Sequence, residues 1–497
     1  MATPTTVQTP VGASEAVPSA LLGRPRWFVT LFVTDMWERF SFYGMLAILF
    51  LFASAPASRG GLALTNADAG MLFGAYTAAI FLAALPGGWL GDRVFGTRRA
   101  TLYGAVVIMV GHLLMAVPTE VTVFAGLLFI AAGTGLLKPN LASLLSAFYP
   151  RGATAERDAG FAIFYTSIQV SALVAPLVVG SLGEGVNWHL GFGVAAVGMA
   201  FGVWQYVRGS ASFGETGRLP ERPATAVELR RVGRASAVAL AAVVAAFTAD
   251  AVAGTFTIRH VLLLVTVLSV VVPIRCFRGL LRSPEVSPAA RARLRTYIWF
   301  FVASALFWGL HVQGGSLLSL FARDSTDRAV LGVRLPASWF QSATPLAILL
   351  LAPVFAWLWL RYGRRISAAV KFAVGMTTMG SALLLIALAA EFARSGGRVS
   401  PLWLVGTYLL MGAGEAALAP VGMSVAAAVA PTGFLSQLVG VSWLGAGMGA
   451  GLGGVALKAA GGNAPGPGLF LLMGALSVAA GLGLLLAARP LARRLGL

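Results

Sequence analysis

Charge is what this sequence has least of. Asp, Glu, Lys and Arg make up 11% of its 497 residues, while 58% are Ala, Val, Ile, Leu, Met, Phe, Trp, Tyr or Cys. Soluble domains run at about 25% charged and about 45–50% apolar, so a water-soluble globular chain is excluded, as is disorder, which needs the opposite balance. Cysteine is almost missing. Cys276 stands alone, which rules out an internal disulfide framework and any cysteine-rich zinc or iron–sulfur centre. No HExxH, no GxSxG and no nucleotide-binding glycine loop occurs, so neither an enzyme nor a nucleotide-driven pump is indicated, and no cofactor is expected. Acids are half as numerous as bases, 18 against 36, for a formal net charge of +18. That excess forms no patch of the kind nucleic acid requires. It is spread over short segments between long apolar runs, which points to a membrane.

A helix that crosses a bilayer needs about 20 mostly apolar residues. Fourteen stretches qualify: 27–53, 69–90, 100–117, 122–146, 160–182, 190–207, 235–249, 260–274, 297–321, 339–360, 368–390, 402–429, 438–457 and 468–488. Residues 1–26 read as a flexible polar tail, and the first span directs insertion without a cleavable signal. With the N-terminus placed in the cytoplasm, 26 Lys and Arg fall on that side and eight on the other, Arg39 and Lys138 lying inside spans. This positive-inside bias places both termini in the cytoplasm of a cell that carries the chain in its inner or plasma membrane. Charged stretches at 208–234 and 275–295 bracket the middle pair of spans. The chain therefore divides into a six-helix bundle at 27–207, cytoplasmic linkers with an inserted two-helix hairpin at 208–295, and a second six-helix bundle at 296–497. The expected fold is an all-α integral membrane protein of the major facilitator type, with 14 transmembrane helices arranged as six, two and six. In that arrangement substrate binds between the halves at the midplane. A monomer in the lipid bilayer is expected, and the glycine run GAGMGAGLGG at 445–454 lets its helices approach closely.

Few ionisable residues lie inside the spans: Asp35, Glu38 and Arg39 in the first, Lys138 in the fourth and Glu415 in the twelfth, with His112 and His311 beside them. Charges at that depth are expensive, so they face the bundle interior, pair, and mark a substrate or proton path. Asp35, Glu38 and Arg39 stand at i, i+3 and i+4, on one helix face. Lys138 and Glu415, one in each half, are placed to bridge the halves. A purely structural ion-pair network is the alternative, and the poor stabilisation that buried pairs give weighs against it. The histidines are expected to be hydrogen-bonded packing residues. A carboxylate against a base in low dielectric suits a proton-coupled carrier, because protonating the acid frees the base for a substrate carboxylate.

Several motifs in order carry a resemblance. They are DMWERFSFYG at 35–44, GGWLGDRVFGTRR at 87–99, GTGLLKPN at 133–140 and ERDAGFAIFYTSIQVSALVAP at 156–176, with looser FWGLHVQGGS at 307–316, FQSATP at 340–345 and GEAALAPVGMS at 414–424. Together they resemble the proton-dependent oligopeptide transporter family of the major facilitator superfamily. The resemblance implies symport of di- or tripeptides or peptide-like compounds with protons by alternating access. It implies Glu38, Arg39 and Lys138 as the proton-coupling set. Arg39, Tyr43, Lys138, Gln169, Trp308, Glu415 and Trp443 would bind substrate, with Lys138 and Glu415 also forming a cytoplasmic gate. Asp92, Arg93 and Arg98 would latch the cytoplasmic loop.

Departures from the family pattern narrow the cargo. Leu46 stands where Arg is usual and Val312 where an acid is usual, a joint replacement that removes an outer charge pair. Losing one partner alone would cost about 3–5 kcal/mol. Closure of the outer side is therefore expected to rest on apolar packing. Phe42 and Phe81 replace Tyr, Gln169 and Thr344 replace Asn, and Ala419 replaces Ser, so the pocket should favour bulky apolar side chains. A non-peptide cargo on the same fold, such as an amino acid, an anionic metabolite or an exported apolar compound, is the alternative. A membrane sensor or scaffold is disfavoured, since the segments outside the spans are too short for a signalling domain.

Overall fold

A computed structural model describes residues 24–150, 154–220, 222–362, 366–431, 434–459 and 466–495. Its helices are α1 (Arg26–Ser54), α2 (Asn66–Leu90), α3 (Thr97–Met115), α4 (Glu120–Ala147), α5 (Thr154–Gly185) and α6 (Trp188–Gly209), then α7 (Ala226–Val252) and α8 (Ile258–Arg282). The second half holds α9 (Pro288–Val312), the short α10 (Leu317–Asp324), α11 (Ala343–Tyr362), α12 (Ala368–Gly396), α13 (Leu402–Val429), α14 (Leu435–Ala459), α15 (Pro467–Leu486) and the short α16 (Ala488–Leu495). With α9 and α10 joined as one span, thirteen are long and apolar enough to cross a membrane. The fourteenth, α3, has 19 residues, opens on Arg98 and Arg99, and carries His112, which keeps it just below that mark.

Side-chain caps set the helix starts where an N-terminus would otherwise leave backbone N–H groups unpaired. The Thr65 hydroxyl accepts the Asp68 N–H at 3.1 Å, and Thr119 accepts Thr122 at 3.2 Å. Thr225 and Glu228 form a reciprocal capping box at α7. That cap lengthens the hairpin beyond its expected bounds: α7 starts nine residues before 235 and takes in Arg230, Arg231 and Arg234, while α8 runs on through Arg275 and Arg282. Apolar spans end in the bilayer but helices need not, because long arginine side chains reach out to the headgroups. The ninth span is likewise not continuous. It breaks at a tight turn over Gln313–Gly315 and resumes as α10.

Helices α1–α6 pack on one another, as do α9 and α11–α15, and the halves meet along α2 against α14 and α5 against α11. The glycine run makes the first of these seams possible. A side chain at Gly74 would collide with Gly454 and the Ala450 carbonyl, so bare backbone is required on both helices. The same contact continues along α2 from Gly70 against Leu457 to the stacked rings of Phe81 and Trp443. The inserted hairpin leans on α2 and α14 through α8, whereas α7 has no buried residue. Arg259 of α8 grips Asp68 of α2 with two bonds of 2.7 and 2.8 Å.

Candidate functional site

Four charges converge in the first half. Asp35, Glu38 and Arg39 project from one face of α1, and Lys138 reaches them from α4. Pro139 cannot donate a helical bond, and Asn140 next to it ties α4 to the Gly87 carbonyl of α2 at 2.9 Å. Arg39 lies 3.4 Å from Asp35 and 3.5 Å from Glu38. Lys138 lies 3.7 Å from the other Glu38 oxygen and 3.5 Å from the centre of the Phe42 ring, a cation–π contact. Ser167 of α5 donates to Asp35 at 2.8 Å. Glu38 is 0% exposed, and neither of its oxygens accepts a hydrogen bond among the described residues. It is held by charge alone.

The second half offers one acid. Glu415 of α13 stands 3.3 Å from Nε2 of His311 on α9, whose ring stacks on Phe307 and meets Trp308 edge-on. Tyr43, between the halves, is within electrostatic reach of Arg39, Glu38 and Glu415. Trp443 stacks on Phe81 at 6.3 Å. Gln169 is buried, and the Thr344 hydroxyl donates to the Tyr408 carbonyl at 3.1 Å, which turns it from the cavity to the backbone.

Three expectations meet their partners in the structure. Lys138 and Glu415 do not bridge in this conformation: Lys138 is held by Glu38 and Glu415 by His311. The residues expected to latch the cytoplasmic loop reach toward the linker that follows α6. Arg93 pairs with Glu228 of α7 at 2.8 Å, and Arg98 donates to the Gly214 carbonyl at 3.0 Å and the Ser210 hydroxyl at 3.3 Å, so both hold the segment leading to the hairpin. Asp92 also has an interaction partner. Nor are the histidines ordinary packing residues. Both ring nitrogens of His112 are buried without a hydrogen bond among the described residues, and His311 belongs to the charged site.

The outer expectation fails in an instructive way. Leu46 and Val312 do pack against the apolar core, yet the face opposite the termini is closed by polar bonds a turn away. Glu184, at the end of α5, accepts the backbone N–H groups of Ala337 and Ser338 at 2.8 Å each and the Ser338 hydroxyl at 2.6 Å, and faces Arg328 at 3.7 Å. Gln341 donates to the Ala47 carbonyl at 3.1 Å, and Arg323 donates to the Ser54 hydroxyl at 2.8 Å. On the face bearing the termini, α4 packs on α1, α2 and α3 and, among the described residues, has no comparable contact with α13. Among the described residues, these polar bonds between the halves gather on the face opposite the termini. Sequence reading passes over Glu184 because it lies just beyond the apolar stretch; the signal is an acid at the end of a span facing an arginine-rich loop.

Comparison with known proteins decides the family. A model described as "POT family" matches residues 98–461. The chain belongs to the POT family. It is 36% identical to "Uncharacterized transporter YclF" of Bacillus subtilis (strain 168), over 86% of this chain and 87% of that one. It is 35% identical to the "Di-/tripeptide transporter" of Lactococcus lactis subsp. cremoris, over 85% and 87%. Among solved structures, a peptide transporter POT in complex with sulfate superposes with a TM-score of 0.90 at 37% identity, covering 96% of this chain and 97% of that one. A POT family transporter in complex with 5-aminolevulinic acid does so at 0.89 and 32%, covering 95% and 98%. This POT family chain is therefore a multi-pass membrane protein of the major facilitator fold. Its class is one of carriers, not enzymes.

Proposed function

We propose that this chain is a proton-coupled symporter of short peptides or peptide-like compounds, working by alternating access with both termini in the cytoplasm. The observation that carries the reading is the balanced cluster of Asp35, Glu38, Arg39 and Lys138 in one half, set across the cavity from Glu415 in the other. Such a cavity suits a zwitterion. Arg39 and Lys138 would take the substrate carboxylate and Glu415 its amino group, with Tyr43, Gln169, Trp308 and Trp443 lining the space between. Protonating Glu38 frees Lys138 for the incoming carboxylate, which makes substrate and proton binding interdependent. Residues 27–207 and 296–497 would rock as two units, with 208–295 joining them. In this orientation the structure would correspond to the inward-open form. Lys138 would leave Glu38 and meet Glu415 only when the cytoplasmic side closes. Names borne by relatives, among them di-/tripeptide transporter, support the cargo class.

A second reading keeps the fold and changes the cargo. The apolar side chains at Phe42, Leu46, Phe81 and Val312 favour it, and the relative that holds 5-aminolevulinic acid accommodates a ligand with no peptide bond. Uptake into proteoliposomes of a dipeptide library, with and without an imposed inward proton gradient, separates the two. Gradient-dependent accumulation of any dipeptide supports the first; none for any member supports the second.

A further inference from the structure

His311 is not used by the mechanism above, and its position asks for a use. It is the last ring of α9 before the helix breaks at Gln313, and its Nε2 is the partner that Glu415 has in this state. Nδ1 is buried with no hydrogen bond among the described residues. Among the described residues, no Lys or Arg pairs with Glu415. Lys138 and Arg39 are both engaged by Glu38, and Arg39 by Asp35 as well. The other titratable groups within electrostatic reach of Glu415 are Tyr43 of α1 and Tyr165 of α5. The described residues of α12, α14 and α15 bring no ion pair to His311. A carboxylate taken out of water with no counter-charge is costly. The Glu415–His311 pair must therefore hold one positive charge of its own whenever no visitor supplies it, and the only mobile one is a proton.

We propose that His311 makes substrate release a proton-for-ammonium exchange, and so acts as a positioning residue for Glu415 and as the seat of a placeholder proton. The inference rests on the carrier reading above. In the loaded inward-open state the substrate ammonium is the counter-ion of Glu415, and the imidazole is neutral. As the ammonium leaves, one proton enters from water on the open face and is shared between Nε2 of His311 and Oε2 of Glu415. Charge is conserved, one cation replacing another. When the cytoplasmic side closes and Lys138 reaches Glu415, that proton returns to the same face. It crosses no membrane, and the coupling proton on Glu38 keeps its stoichiometry of transport.

The consequence is a subsite where protons and amino groups compete. The test is calorimetric binding of Leu-Leu to the purified full-length protein in detergent, in buffers of different ionisation enthalpy, so that proton release is read beside affinity. Wild type is expected to release close to one proton per Leu-Leu from this subsite over the pH range in which the pair is protonated, read as the difference from N-acetyl-Leu-Leu so that the proton taken up by Glu38 cancels, with affinity for Leu-Leu weakening relative to N-acetyl-Leu-Leu by about tenfold per pH unit on acidification, the linkage slope of a single proton. N-acetyl-Leu-Leu, which has no ammonium, is expected to bind with neither release nor slope at this subsite. His311→Gln keeps a hydrogen-bond donor beside Glu415 but cannot store the proton. It should bind Leu-Leu with its slope moved to more acid pH, while His311→Phe should do the same with weaker binding throughout. Proton release and slope unchanged in both variants, or absent from wild type while Leu-Leu binds, overturn the inference and leave the carrier reading intact. Failure of wild type to bind either ligand overturns the peptide reading and this inference with it.

Discussion

The two halves of the carrier keep their buried charge in different ways. In the first, two acids and two bases form one connected group whose charges cancel: Asp35 to Arg39, Arg39 to Glu38, Glu38 to Lys138. In the second, Glu415 has only an imidazole, which is charged only if protonated. A cancelled cluster can wait indefinitely in low dielectric, whereas a lone carboxylate must borrow its counter-ion. The difference teaches where each kind of ligand has leverage. Anything that neutralises an acid in the first half unbalances it and liberates a base; anything that brings a cation to the second half satisfies it. A proton and a zwitterion acting together do both.

The sharpest way to break the comparison is to remove an acid from the balanced side. Glu38→Gln leaves two bases against Asp35 alone, and gradient-driven uptake into proteoliposomes is expected to fall to background. Counterflow exchange, which needs no net proton movement, should survive. Accumulation at the parental level would mean that coupling lies elsewhere. Next in size is the reverse imbalance. Lys138→Ala strands Glu38 on Arg39 and removes the base that would close the cytoplasmic side on Glu415. Accumulation should stop, and a cysteine introduced at Ser342 on the opposite seam, in a Cys276→Ser background, should become harder to label from outside. Enhanced labelling there would remove Lys138 from the gate.

A smaller effect of opposite sign is expected from Glu184→Ala. That change strands two backbone N–H groups and the Ser338 hydroxyl, each unsatisfied buried donor costing about 1–3 kcal/mol. The outward-open population should rise tenfold or more, since about 1.4 kcal/mol is a factor of ten, and the same Ser342 cysteine should label faster. Unchanged labelling would show that the Glu184 contacts do not hold the outer side. Smallest is the cargo preference. Burying a bulky apolar side chain contributes roughly 1.5–3 kcal/mol, so Leu- or Phe-containing dipeptides should compete about tenfold better than Ala-Ser for one labelled substrate. Equal competition by both would contradict an apolar pocket.

The fold was legible because apolar length and the absence of charge are properties of single segments. Every span expected from the sequence has its helix, and the α1 cluster was legible because i, i+3, i+4 spacing is local. What lay beyond reading is pairing between segments. Nothing in the residues says whether Lys138 is held by Glu38 or by Glu415, since the answer depends on how α4 packs against α1 and α13 in the folded chain. The outer closure shows the same limit. Leu46 and Val312 correctly exclude a charge pair at their own positions. The bonds of Glu184 are made mainly to backbone N–H groups of Ala337 and Ser338, and backbone donors leave no trace in residue identity. Arg93 and Arg98 were readable as a basic loop, but their attachment to Glu228 and Gly214 depends on how the following linker folds back.

The long contact of α2 with α14 has a mechanical meaning. Stripped to glycine where the two backbones touch, it runs from Gly70 to Phe81, over several turns of α2. A contact of that length behaves as the spine of a book. Rotation about it leaves nearby atoms almost still and moves distant ones in proportion to their distance, so small changes in torque at the midplane charges appear as large strokes at Glu184 on one cover and at α4 on the other. Thickening the spine, by giving Gly74 or Gly454 a side chain, would alter the stroke of both gates at once while touching neither the substrate nor the proton.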